Sequence, residues 1–169
     1  MKGHENMADK APPPAVRDGF ELDAAQRSLP IALLRAREMV MERFRPMLNA
    51  HDVSEQQWRV LRVLRESGAI DATKLAERAC VLAPSLTRML RSLEARGLIE
   101  TRRDPKDRRR TRVALTAQGD AFLRAASPQS AAIYAQLETE VGAQRIARLL
   151  DELNGFMAAL DQSQGPPKR

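Results

Sequence analysis

The chain has 169 residues, with 28 Lys and Arg against 22 Asp and Glu, a formal charge of +6 and a single cysteine. That length accommodates one domain with a helical extension rather than two independent domains, and the lone Cys80 excludes an intrachain disulfide and fits a reducing compartment. No apolar run approaches the ~18 residues of a membrane span, and the polar, Pro-rich start lacks the apolar core of a secretory signal, so a cytoplasmic protein with no membrane partner is expected.

Aromatic content of only 4% beside abundant Leu, Ala, Arg and Glu predicts a mainly α fold. Residues 1–27, with Pro12-Pro13-Pro14 and scattered charge, read as a disordered tail, and residues 161–169 as a flexible one. Between them six helices and a hairpin are expected. The first helix covers about residues 29–48, with Pro30 in the first turn, where a missing N–H is harmless. The second follows a capping box, Ser54 with Gln57, and stops near Gly68. Residues 69–71 suggest a short strand. Asp71 then caps a third helix over about residues 72–80, where Leu75, Ala76 and Ala79 share a face beside which Cys80 packs. The fourth helix covers about residues 84–96, ended by Gly97. Residues 98–103 and 111–115 read as strands. Thr116 caps a fifth helix reaching about Val141, with Pro128 kinking or interrupting it. A sixth runs from Gly142 to about Leu160.

The segment between the two strands is the most informative. From Arg102 to Arg112 seven basic residues face only Asp104 and Asp107, a net +5 that nearly equals the charge of the whole chain. Such a block repels itself and makes sense opposite a polyanion. Helix, strand, basic loop, strand is the layout of a winged helix, whose loop follows a DNA backbone. In the fourth helix Leu86, Met89, Leu90 and Leu93 recur at helical spacing and face the core. Pro84, Ser85, Thr87, Arg88, Arg91 and Ser92 are left on the other side. Hydroxyls there can meet phosphates or base edges, and Arg88 and Arg91 can pair bidentately with guanine. Alone, that polar face reads as mere solvation; followed by a basic wing, it reads as a recognition helix.

The run Leu82-Ala83-Pro84-Ser85-Leu86-Thr87-Arg88-Met89-Leu90 through Gly97-Leu98-Ile99, then Asp104-Pro105-Lys106-Asp107-Arg108-Arg109-Arg110 and Leu115-Thr116, resembles the MarR (multiple-antibiotic-resistance regulator) family. The likeness extends over about residues 28–160. A narrower likeness lies in Ser28-Leu29-Pro30, Leu33-Leu34-Arg35-Ala36-Arg37-Glu38, Phe44-Arg45-Pro46, Gln56-Gln57-Trp58-Arg59-Val60-Leu61 and Ser127-Pro128. These are similar to the homoprotocatechuate-degradation operon regulators. The resemblance implies a homodimer on double-stranded DNA with a pseudo-palindromic operator, released by a small aromatic acid. It implies that Arg109 enters the minor groove braced by Asp107, with Arg108 and Arg110 beside it. It also implies dimerisation helices at residues 28–53 and 116–160 around a winged helix-turn-helix at 54–115.

Two further patterns bear on that expectation. Ile146, Leu149, Leu150, Leu153, Phe156, Met157 and Leu160 form an apolar stripe, as do Ile133, Tyr134, Leu137 and Val141, and a winged helix needs neither for its own core. On the first helix Arg37 lies within an apolar face of Leu33, Ala36, Val40, Met41, Phe44, Met47 and Leu48, while Arg35, Glu38 and Glu42 project elsewhere. A guanidinium there needs an anionic partner, either a salt bridge or a ligand carboxylate held bidentately. The resemblance raises the ligand reading, with Ser28, His51 and Trp58 as neighbours. Equally, Ser28 reads as an N-cap, His51 as a loop residue and Trp58 as core.

Rival functions remain open. A redox regulator would use Cys80, which needs exposure to react. A winged helix can also serve as a protein- or RNA-interaction module without an effector. Against an enzyme stands the lack of a Gly-rich phosphate loop, a nucleophile elbow or a metal motif, and no cofactor is expected.

Overall fold

A computed structural model describes residues 28–105, 107 and 109–163. The tail expected at residues 1–27 and the last six residues lie outside the described part. Elements follow the order α1 (Leu29–Ala50), α2 (Glu55–Ser67), β1 (Ile70–Asp71), α3 (Ala72–Arg78), α4 (Ala83–Ala95), β2 (Ile99–Arg103), β3 (Thr111–Leu115), α5 (Ala117–Val141) and α6 (Ala143–Ser163). The mainly helical winged helix-turn-helix expected from the sequence is present, and α6 runs on through residues 161–163.

The chain divides into two compact units inside α1, between Arg43 and Phe44. In the first, Ile31, Leu34 and Met39 are exposed. The second holds the core: Val60, Leu61 and Leu64 of α2, Leu75 of α3, Leu86 and Leu93 of α4, Ile99 of β2, Val113 of β3 and Leu123 of α5. In α4 the buried residues Leu86, Leu90 and Leu93 follow the helical spacing read from the sequence. A three-stranded antiparallel sheet orders β1-β3-β2, pairing Ile70 with Val113 and Ile99 with Leu115 at one end and Arg103 with Thr111 at the other.

Helix ends follow local chemistry closely. Ser54 Oγ accepts from the Gln57 N–H, while the Gln57 side chain accepts from the Ser54 N–H, so the capping box is complete. Three helices end in the same two-bond motif. The N–H groups of Val53, Val81 and Leu98 donate to the carbonyls of Leu48, Ala76 and Leu93, and those of Asp52, Cys80 and Gly97 to Asn49, Glu77 and Glu94. The motif places Asp52, Cys80 and Gly97 in the left-handed region, at φ 52°, 50° and 69°. Only Gly97 reaches it without a Cβ penalty.

This motif corrects the expectation for Cys80. Because α3 ends at Arg78, Cys80 leaves the helical wheel and is exposed rather than packed beside Ala79. Pro128 does not interrupt α5, which continues through it for 25 residues. Proline there removes a single ladder bond, and Ala126 and Ser130 on either side are buried.

Opposite substitutions at equivalent positions test the motif. Gly97→Ala should destabilise the protein by about 1–2 kcal/mol, since an L-residue disfavours the left-handed region and its Cβ would meet Gln118 Oε1 at 2.7 Å. Cys80→Gly should raise stability by up to about 1 kcal/mol. Urea unfolding monitored at Trp58 reads both, and equal signs would contradict the account.

Candidate nucleic-acid interface

The wing is a closed turn. Arg103 and Thr111 are the last β2–β3 pair, the Asp104 N–H donates to the Arg110 carbonyl at 3.0 Å, and the Arg110 N–H to the Asp107 carbonyl at 2.9 Å. Asp107 Oδ1 accepts from the backbone N–H of Arg109 at 3.0 Å, and its Oδ2 lies 3.4 Å from Arg110 Nε. Asp107 therefore braces Arg109 through the backbone, while its ion pair goes to Arg110.

The other cations are mostly engaged. Arg102 pairs with Glu100 at 2.8 Å. Arg112 lies 3.8 Å from Asp104 and donates to the Ala69 carbonyl at 2.9 Å, tying the wing base to the segment before β1. Arg103 also has a partner. Lys106 and Arg108 fall outside the described residues. Arg109 is exposed at the tip, and its guanidinium has no partner among the described residues.

On α4 Pro84, Thr87, Arg88 and Arg91 are exposed and Ser85 is half-buried. Arg88 and Arg91 have no hydrogen bond or ion pair among the described residues. The Thr87 hydroxyl donates to the Ala83 carbonyl at 3.2 Å, which leaves its lone pairs available. Ser92, read with this face in the sequence, accepts from Gln57 Nε2 of α2 at 3.4 Å. Its partner is the protein itself.

Arg96 is a residue that sequence reasoning passed over. Its guanidinium donates to the carbonyls of Asp52 and His51 and lies 5.9 Å from the Phe122 ring centre. Its own carbonyl accepts from Gln118 Nε2 at 3.2 Å. One side chain thus links the end of α4 to the α1–α2 turn and to α5. A position at the foot of a DNA-reading helix was the only available signal.

The residues suggested for a ligand are distributed over both units. In the first, the Ser28 carbonyl accepts the Ala32 N–H at 2.8 Å. Arg37 is exposed and pairs with Glu38 at 2.5 Å, so Glu38 does not project away from it as the helical wheel suggested. Long side chains bridge angles that a wheel separates. In the second, His51 Nε2 lies 2.9 Å from Gln129 Oε1 and its ring meets Phe122 edge-on at 5.6 Å. Trp58 is buried. No hydrogen bond or ring contact joins His51 to Trp58 among the described residues.

Among the described residues no cluster of three His, Cys, Asp or Glu is placed to hold a metal ion, and no helix is long and apolar enough to cross a membrane.

A helix-turn-helix followed by an arginine-tipped, two-stranded wing defines a DNA-binding protein of the winged-helix class. Residues 53–111 match the model of the MarR family. The homoprotocatechuate degradative operon repressor of Escherichia coli is 41% identical over 131 residues, 78% of this chain and 88% of the relative. The crystal structure of NadR in complex with 4-hydroxyphenylacetate superposes with a TM-score of 0.70 at 37% identity, over 76% of this chain and 92% of NadR. The transcriptional repressor CouR, bound to a 23-mer DNA duplex, gives 0.73 at 28% identity, over 83% and 99%. The chain belongs to the MarR family, and its expected likeness to the homoprotocatechuate regulators is borne out. The relatives it matches are transcription regulators rather than enzymes.

The Arg96 clasp generates a stability prediction. Arg96→Ala should cost about 1.5–3 kcal/mol by removing charged hydrogen bonds to two carbonyls. Arg96→Lys should recover less than half, because an ammonium lacks the fork. Full recovery by Lys in urea melts would mean that charge, rather than geometry, holds the junction.

Proposed function

We propose that the protein is a cytoplasmic homodimeric repressor of an aromatic-acid catabolic operon, released from a pseudo-palindromic operator by a small aromatic carboxylate. The observation that carries the DNA-reading part is that three arginines, Arg88 and Arg91 on α4 and Arg109 on the wing, have no side-chain partner among the described residues, amid a surface whose other described wing cations have partners. Arg88 and Arg91, with Pro84, Ser85 and Thr87, address the major groove. Arg109, with Arg108 and Arg110, takes the minor groove and phosphates, and Asp107 holds the turn. The division follows from chemistry: guanidiniums on a recognition helix pair with guanine, and one at a wing tip is drawn to a narrow groove.

The exposed apolar faces support dimerisation. None of the residues of α6 is buried, and Leu149, Leu150, Phe156, Met157 and Leu160 are exposed together with Tyr134 and Val141 of α5. Patches of this kind mark protein contacts. Helices α1, α5 and α6, over residues 28–53 and 116–160, pair with a second copy, so that two recognition helices meet half-sites about 34–36 Å apart.

The effector reading rests on the likeness to the homoprotocatechuate repressor and to NadR, whose structure contains 4-hydroxyphenylacetate. Arg37 anchors the carboxylate, with Ser28, His51 and Trp58 as further contacts. An exposed ion pair such as Arg37–Glu38 contributes only ~0–1 kcal/mol, so exchange for a bidentate ligand costs little. Effector and operator then oppose each other by linkage, commonly ~1–3 kcal/mol or about 5–150-fold, and DNA weakens effector binding equally.

Fluorescence anisotropy on the protein's own upstream promoter, against scrambled duplex and with a panel of small aromatic acids, tests this reading. Arg109→Ala should weaken binding to every duplex and reduce the salt slope by about one. Arg88→Ala and Arg91→Ala should relax sequence preference by about 1–3 kcal/mol. Equal losses on both duplexes for all three would defeat the division of labour. One acid should release the wild type and leave Arg37→Ala bound; promoter binding indifferent to every acid would remove the effector.

A further inference from the structure

The residue ahead of the recognition helix is out of place by every local rule. Leu82 is the N-cap of α4, with φ −67° and ψ 139°, and it makes no side-chain capping bond. Ser, Thr, Asp or Asn normally fill this position because an oxygen there accepts from the first free N–H groups. Leucine leaves those donors without a cap.

Leu82 gains no burial in return. It is 78% exposed, more than any other large apolar residue in the described chain. The neighbouring apolar positions are already occupied: Val81, half-buried, stands just before the cap and Leu86, buried, four residues after it. These are the two positions of a hydrophobic staple. The core is therefore complete without Leu82. Ala83 and Pro84 follow it and are also exposed, so α4 begins with an apolar leading edge of three consecutive side chains.

Pro84, the last of the three, lies one and two turns before Arg88 and Arg91 on the same face, and Leu82 stands ahead of it at the N-terminal end of the helix. N-terminal residues of a recognition helix are the ones that meet base edges. The only apolar feature of the major groove is the C5-methyl of thymine. Along the axis Leu82 and Arg88 are about 9 Å apart at 1.5 Å per residue, a span of two to three base pairs.

We propose that Leu82 is a specificity-determining residue, packing its isobutyl group against a thymine methyl two to three base pairs from the guanine read by Arg88. This deepens the DNA-reading role of α4 and rests on it. The side chain selects thymine over uracil and cytosine by burying that methyl, and a capping residue is absent because an aliphatic contact is needed at the same position.

The experiment uses the full-length protein. A duplex is selected from a randomised pool by the wild type, and each thymine in it is then replaced singly by uracil, which deletes only the methyl. Wild-type affinity should fall about four-fold at one thymine per half-site, the worth of one buried methyl. Leu82→Ser and Leu82→Ala should lose affinity for the thymine duplex by at least that factor and become indifferent to uracil at that step. Binding to scrambled duplex should be unchanged. Leu82→Ser should also raise Tm by roughly 2–4 °C, because it restores a cap, and the oligomer mass by light scattering should stay the same.

Uracil sensitivity that persists in both variants would overturn the inference while leaving α4 as the reading helix. A change in oligomer mass would reassign Leu82 to a protein contact. If the pool yields no enriched sequence, sequence reading by α4 fails first and Leu82 with it.

Discussion

The end of the recognition helix and the start of α5 are built as one hydrogen-bonded junction, on which the rest of the winged helix depends. Three successive carbonyls after α4 are all accounted for by α5 or its cap. Arg96 O accepts from Gln118 Nε2, Gly97 O from the Thr116 hydroxyl at 2.5 Å, and Leu98 O from the Thr116 N–H at 3.1 Å. Thr116 Oγ1 in turn accepts from the Gly119 N–H at 3.0 Å, capping α5. Gly119 is buried so tightly on the Leu98 carbonyl that any Cβ would overlap it. Here glycine serves close approach, whereas at Gly97 it serves the backbone turn. A side chain at Gly119 would push the Leu98 backbone away from α5, whereas one at Gly97 would meet only the end of the Gln118 side chain and strain the turn itself.

Electrostatics in the wing has a different logic. Asp104 and Asp107 leave the seven cations of residues 102–112 at a net +5, and exposed pairs of this kind, that of Glu100 with Arg102 included, contribute little stability. Their role is geometric. Asp104 holds Arg112 toward the sheet, Glu100 holds Arg102 along β2, and Asp107 holds Arg110 and the backbone of the next-but-one residue. Each acid occupies a neighbour, and among the described wing residues the Arg109 guanidinium is left over. A wing with the same charge and no acids would present an undirected cloud of cations. This one presents a guanidinium at a fixed tip.

Much of this was legible in the sequence, and what escaped did so for identifiable reasons. Caps were readable because they are local: Ser54 with Gln57, Asp71, Thr116 and Gly97 all stand where the pattern put them. The α4 core face was readable because its period is strict. Cys80 escaped because α3 stops two residues early, and each residue off a helix removes the 100° rule that placed it. The Arg37–Glu38 pair, Ser92 with Gln57 and the Arg96 clasp escaped because long side chains choose partners by reach, not by wheel angle. Leu82 escaped for the opposite reason: a hydrophobic residue beside a helix is assumed buried, and only its exposure makes it notable.

These observations bear on how an effector could act without melting the fold. The winged helix closes its own core with residues fully buried on α2, α3, α4, β2, β3 and the first part of α5. Beyond Ser130 no described residue of α5 or α6 is buried: Tyr134, Val141, Leu149, Leu150, Phe156, Met157 and Leu160 are exposed, and Ile133, Leu137, Ile146 and Leu153 half-buried. On the dimer reading, those outer segments take their position from the second copy rather than from their own chain. On the proposed effector reading, a ligand held by Arg37 of α1, which shares that interface with α5 and α6, would change contacts between copies. On that reading the hydrogen-bonded Thr116 junction would carry a movement of α5 to α4, changing half-site spacing while each half-site reader stays folded. Flexibility at the dimer helices and rigidity at the junction are complementary requirements: were the junction soft, α5 would move and α4 would not follow.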